Sequence, residues 1–187
     1  MEYFIDNTDI YCKRQINLIN DFRKLWMDEL IWGHSLISSI IDGSGDVSYV
    51  VRRLFRMPEE FAELFRKFYG VENAATIESL VRQHLLITAT IVNDQGTLNE
   101  EAYNADRERW FENADNIAMF LSQINPFWNV DIWKQLLHEY IELLETVITS
   151  RFNEKYDIEI ETFDILHEHV MKMSDYIVEG IKRQYNI

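Results

Sequence analysis

Pro58 and Pro126 are the only prolines in 187 residues, and only six glycines join them. Proline removes a backbone donor and glycine costs ordering entropy, so both mark places where helices stop. Here they are so sparse that stretches of roughly twenty to more than thirty residues run between turn signals, far longer than strands require. Within those stretches apolar residues recur at three- and four-residue steps. β-Branched residues never alternate strictly with polar ones over a strand's length. The class read from this pattern is all-α.

The punctuation also sets the boundaries. A first helix is expected from about Asp9 to Ile41, capped by Thr8 or Asp9 and ended by Asp42-Gly43-Ser44-Gly45. Val47 to Phe55 leads to Pro58, behind which Glu59 and Glu60 face the helix dipole, and this short helical segment stops at Gly70. Ala74 to Val92 carries its stripe at 77, 80, 81, 84, 87 and 91 and ends in Asn93-Asp94-Gln95-Gly96. Thr97 and Glu100 are spaced as a capping box, opening a helix whose inward face is Trp110, Phe111, Ala114, Ile117, Ala118 and Leu121. Helices from Val130 to about Phe152 and from about Ile158 to Tyr185 complete the chain. Short connections between long helices make sequential neighbours antiparallel. The expected architecture is an up-down four-helix bundle of ferritin-like character, with extra short helices, in one domain spanning 1–187.

Composition narrows the function classes. Acids outnumber bases 32 to 18, giving a net charge of -14. Phosphate-backbone affinity comes from Lys and Arg, so nucleic acid is not an expected partner. Every hydrophobic segment is interrupted by charge, and no membrane span is expected. The single Cys12 cannot form an internal disulfide, and MEYFIDNTDIY has neither the basic nor the apolar region of a secretion signal, which fits a reducing cytoplasm. A nucleophilic hydrolase or nucleotide enzyme is equally unexpected, since neither a Gly-rich phosphate loop nor a Gly-x-Ser-x-Gly elbow occurs.

Polar residues on apolar faces carry the functional question. In LWMDELIWGH, Glu29 interrupts a stripe made by Leu18, Phe22, Leu25, Trp32 and Leu36. His84 sits on the stripe of VRQHLLITATIV. His169 lies beside Leu166, Val170 and Met173, and His138 and Glu142 share one helical face four residues apart, with Asp115 bordering the stripe of its own helix. A buried carboxylate needs a cation, a proton or a hydrogen-bond donor. Facing bundle helices supply one answer by gathering carboxylates and imidazoles around iron, manganese or zinc. The candidate divalent-metal ligands are therefore Glu29, His84, His138, Glu142 and His169, with Asp115 as an outer one. The competing assignment for His84 is a core histidine bonded to Glu29 or to a tyrosine hydroxyl, and for His138 with Glu142 a half-exposed pair. His34, His167 and Asp164 are read as surface residues.

No Glu-x-x-His pair occurs, but His138-x-x-x-Glu142 is similar to the spacing on one helix of haemerythrin-like oxygen binders, and Asp164-x-x-His167 to a shortened ferritin-type pair. LWMDELIW, RRLFRMPEEFAELFRKFYG, HLLI, WFENADNIAMFLSQINPFW, LLHEYIELLE and MSDYIVEGIKRQY together resemble a family of bacterial helical proteins of about this length. The resemblance implies a ferritin-like or haemerythrin-like bundle and carries no established activity. That family more often has histidine where this chain has Glu29 and Thr-Arg in place of Gly33-His34, and tends to acids where His167 and His169 stand. Two further expectations compete with a metal protein. One is a non-enzymatic interaction or scaffold protein whose inward polar groups pair with each other, with a homodimer as its expected assembly. The other is a binder of a small apolar ligand in a pocket lined by some of the five Trp and nine Tyr.

Overall fold

The computed structural model describes residues 7–97 and 99–187, with side chains from Lys13 onward. Six helices account for nearly all of them: α1 (Asn7–Ile41), α2 (Val47–Leu54), α3 (Met57–Thr97), α4 (Glu100–Ile124), α5 (Val130–Phe152) and α6 (Tyr156–Tyr185). No strand occurs among the described residues, so the protein is all-α. The cap expected at Thr8 or Asp9 rests on side chains outside the described residues.

Local chemistry explains where the helices end. The amide of Ser44 donates to the carbonyl of Ser39 and that of Gly43 to Ile40, the paired bonds of a Schellman motif, with Gly43 in the left-handed conformation at φ 64°. Gly70 breaks α3 at φ 78°, ψ 179°, a backbone position that side-chain-bearing residues avoid. The two segments read separately from the sequence are thus the parts 57–69 and 71–97 of one kinked element.

Two sequence expectations fail beside it. Asn93 to Gly96 remains helical, because Ile91, Val92 and Asp94 keep an inner face buried there. Thr97 does not cap α4. Its hydroxyl donates to the Asp94 carbonyl at 3.0 Å, and the cap is Asn99, whose Oδ1 accepts from the Ala102 amide at 3.1 Å. At the start of α5, Asn129 Oδ1 accepts from the amides of Asp131 at 2.8 Å and Ile132 at 3.1 Å. Asn129→Ala is expected to lose about 1 kcal/mol of stability in urea denaturation, with no change in helix content.

Ion pairs and hydrogen bonds fix the helix directions. Arg23 with Asp175 and His34 with Glu159 set α1 antiparallel to α6. His169 with Leu136 and Arg151 with Glu159 set α6 against α5. Arg107 with Glu145 and His138 with Asp115 set α5 against α4. Asn113 with Leu80 and Trp110 with His84 set α4 against the second part of α3. It follows that α1 and the second part of α3 run parallel, although they are sequential long helices. The chain makes its return through α2 and the first part of α3, where Phe61 and Phe65 meet Trp26 and Phe22 of α1 edge-on.

Packing closes a ring in the order α1, α3, α4, α5, α6 and back to α1. The ring is not regular, because α5 also touches α1 and α3 across it. Large side chains fill the interior between the helices. Trp110, Trp128, Trp133, Phe22 and Phe65 are among those fully buried.

Candidate functional site

The centre of this ring contains a cavity of about 50 Å³ to which every long helix contributes. Trp26 and Glu29 come from α1, Phe61 and Phe65 from the first part of α3, and Ile77, Val81, His84 and Leu85 from the second. Ile117 and Leu121 come from α4, Trp133, Leu137 and Tyr140 from α5, and Ile177 from α6. The stripes read from the sequence put these residues inward, and the kink at Gly70 lets α3 line the cavity twice.

Glu29 is buried at 6% exposure, and the Tyr140 hydroxyl donates to its Oε1 at 2.9 Å and its Oε2 at 3.1 Å. Gly33, one turn along α1, leaves room beside that carboxylate, since a Cβ there would lie 3.7 Å from Oε1. Burial pushes the Glu29 carboxyl up to about 7, with the Tyr140 hydrogen bond opposing the shift. Burial also raises the Tyr140 phenol well above its ordinary value, and the adjacent Glu29 charge adds to this. Among the described residues, no Lys or Arg pairs with Glu29.

His84 is bound differently. Trp110 Nε1 is only a donor and lies 3.1 Å from His84 Nε2, so Nε2 must accept and the proton sits on Nδ1. Nδ1 then donates to Asn113 Oδ1 at 2.9 Å. The Asn113 amide nitrogen donates in turn to the Leu80 carbonyl and to Gln83 Oε1, each at 3.2 Å, which fixes its orientation. Burial lowers His84 to about 4, with the Asn113 bond opposing. Both ring nitrogens are therefore engaged and the ring is neutral. Its link to Glu29 is Tyr140, whose ring lies 6.0 Å from the imidazole.

The remaining candidates lie elsewhere. His138 and Asp115 bond to each other at 2.8 Å, and Lys134 binds the other Asp115 oxygen at 2.8 Å. Burial acts to raise Asp115, but Lys134 and His138 outweigh it and hold the carboxyl below its ordinary value. Glu142 is exposed, and its i,i+4 relation to His138 produces no hydrogen bond between them. His169 is buried, and its Nε2–H donates to the Leu136 carbonyl at 2.7 Å, tying α6 to α5 one turn before Tyr140. Among the described residues no group of three or more His, Cys, Asp or Glu side chains is placed to hold a metal ion. The structure thus brings Glu29 and His84 to one cavity, pairs His138 with Asp115, and leaves Glu142 and His169 apart from both pairs.

Sequence reasoning assigned no role to three features of this interior. Tyr140 was visible only as a stripe residue. The Nε1 atoms of Trp26 and Trp133, both cavity-lining residues, are buried and have no hydrogen-bond partner. Glu159, at 2% exposure, gathers His34 at 2.8 Å and Arg151 at 3.2 Å, so His34 is half-buried, whereas His167 and Asp164 are exposed as expected. A tryptophan on a stripe signals core, and nothing local reveals an unpartnered N–H. No helix among the described residues is long and apolar enough to cross a membrane. The chain matches no family model, and neither a curated protein nor a solved structure shows significant similarity to it.

Proposed function

We propose that this protein binds a small, largely apolar molecule of about three to five non-hydrogen atoms in its central cavity, a size set by the cavity volume. The observation that carries the reading is an unfilled space at the packed centre of the protein, bounded by apolar and aromatic surface. A void of this size costs about 1 kcal/mol that closer packing would recover, and apolar cavities stay dry and take up small apolar molecules.

The test is methyl NMR on protein exposed to xenon and to small organic probes. Saturable shifts are expected at the lining residues Ile77, Ile117 and Ile177 and not at Ile148, which is buried outside the cavity. Val81→Phe, which fills the space, is expected to abolish them. Probes that leave all three isoleucines unmoved would end the proposal.

A second reading, an interaction or scaffold protein whose inward polar groups serve only one another, draws support from His84, both of whose nitrogens are satisfied within the chain. It expects no probe to enter. The divalent-metal reading draws on the same buried Glu29, and it expects iron, manganese or zinc in stoichiometric amount in protein purified without an affinity tag.

A further inference from the structure

Glu29 lines two cavities of different character. The surface exposed to the central one is apolar throughout. The second, of about 10 Å³, is shared by Glu29 with Gly33, His34, Thr88 and Tyr140, and part of its exposed surface is polar. The carboxyl meets this smaller space at Gly33, where a Cβ would have Glu29 Oε1 at 3.7 Å and no atom of another helix within 4 Å. Its volume suits one water molecule. Two of its polar lining groups are already committed, since the Thr88 hydroxyl donates to the His84 carbonyl at 2.9 Å and the Tyr140 hydroxyl to Glu29. Glu29 Oε1 and His34 remain. His34 Nε2 lies 2.8 Å from Glu159 Oε1, which also receives Arg151 at 3.2 Å, so that carboxylate is the acceptor, Nε2 carries the hydrogen and Nδ1 keeps a lone pair. The His34 side chain is 30% exposed, whereas Glu29, Thr88 and Tyr140 are buried, which makes it the polar lining group that reaches solvent.

We propose that the cavity beside Gly33 is a water site and the proton inlet of Glu29: one water bound to Oε1 passes protons between the buried carboxyl and His34. When Glu29 ionises, its O–H bond breaks and the proton goes to the water oxygen. The water gives one of its own protons to His34 Nδ1, and the imidazolium releases one to bulk solvent. The water is regenerated, no bond between heavy atoms changes and nothing is oxidised; uptake runs the same steps backwards. Few titratable groups face this route. They are His84 on the second part of α3, Tyr140 on α5, and Glu159 on α6 with Arg151 of α5 behind it. Leu54 is the only lining residue from α2, α4 supplies none, and no Lys or Arg lines either cavity that Glu29 shares. Because burial pushes the Glu29 carboxyl up to about 7, both of its forms are populated near neutrality, where the inlet carries its traffic.

The experiment reads the water and the proton separately by NMR. Water-to-methyl NOEs are expected at Leu54, Leu144 and Val147, which are buried and line the small cavity alone, and not at Ile77, Ile117 and Ile177, which line only the central one. Gly33→Ala puts a methyl at ordinary contact distance from Oε1, in the water's place. It should remove those NOEs and move the Glu29 titration midpoint to higher pH, because the carboxylate loses a donor. Proton exchange at Glu29 is followed by broadening of its carboxyl carbon signal at that midpoint, in protein with labelled glutamate and with Glu29→Gln to assign the signal. His34→Gln keeps a donor for Glu159 but takes up no proton, so it should slow this exchange at least about tenfold while the water NOEs persist, and added imidazole should restore part of the rate. NOEs missing from the wild type, NOEs at the isoleucines instead, or NOEs that survive Gly33→Ala overturn the water site and the inlet with it. An exchange rate unchanged by His34→Gln overturns the inlet.

Discussion

Gly180→Ala is expected to lower stability in urea by about 3 kcal/mol, although alanine is the better helix former by about 1 kcal/mol. A Cβ at Gly180 would lie 1.9 Å from Trp128 Nε1, 2.4 Å from Cδ1 and 2.7 Å from Cε2. The indole has nowhere to go. It is 2% exposed, lies among the rings of Phe65, Tyr69 and Trp133 at centroid distances of 6.2, 5.5 and 6.4 Å, and its N–H donates to the Tyr176 carbonyl at 3.2 Å. Overpacking costs about 1 to 3 kcal/mol, and stranding the buried indole N–H a similar amount, so the two together outweigh the propensity gain. The double variant Gly180→Ala, Trp128→Phe separates this clash from any general effect on α6. A smaller ring relieves the overlap, so the double variant should be at least about 1 kcal/mol more stable than the sum of the single changes predicts. Additive losses, or a Gly180→Ala protein as stable as the wild type, would remove the clash as the explanation.

Gly180 also shows what a sequence of this kind discloses. A lone glycine inside a helical period announces that something approaches closely there, but the approaching group, Trp128, is 52 residues away and carries no matching signal. The same division runs through the molecule. The bounds of α5 and the inward stripes of α4, α5 and α6 follow from local periodicity, because each element buries one face whatever its partners are. The parallel course of α1 and the second part of α3 does not follow. It depends on α2 and the first part of α3 laying the chain back along α1, a tertiary choice that short-connection reasoning passes over. Thr97 and Glu100 had the spacing of a capping box, yet burial of Asp94 drew the helix past them and left the cap to Asn99. For the site, the anomaly at Glu29 was legible as a carboxylate on an apolar stripe, and its partner was not. Tyr140 lies 111 residues away and looks like any other aromatic on α5.

The Glu29 and His84 environments make opposite demands on protons, and titrating stability exposes both. Glu29 moves from an ordinary 4.5 to about 7 on folding, so the fold favours its protonated form. Its contribution is fully present below pH 4.5 and is lost as pH rises to 7. His84 moves from 6.5 to about 4, so the fold favours its neutral form; its contribution is fully present above pH 6.5 and is lost as pH falls to 4. At about 1.4 kcal/mol per unit, each shift amounts to about 3 kcal/mol. Between pH 4.5 and 6.5 the two slopes oppose and nearly cancel, so the wild-type curve hides both. Glu29→Gln is expected to unmask the histidine: stability should fall by about 1.4 kcal/mol per pH unit on acidification from 6.5 to 4, relative to the wild type's difference. At pH 8 this variant should exceed the wild type by about 1 to 3 kcal/mol, because a buried carboxylate has been replaced by a neutral amide that still accepts from Tyr140. His84→Gln keeps an acceptor for Trp110 and a donor for Asn113, and is expected to unmask the glutamate, with stability falling as pH rises from 4.5 to 7. Urea midpoints for the three proteins across pH 4 to 8 decide the matter. Parallel curves would mean that neither group changes its proton affinity on folding, and the buried carboxylate would then have to be charged above about pH 4.5, with a cation beside it that the packing around Tyr140 does not provide.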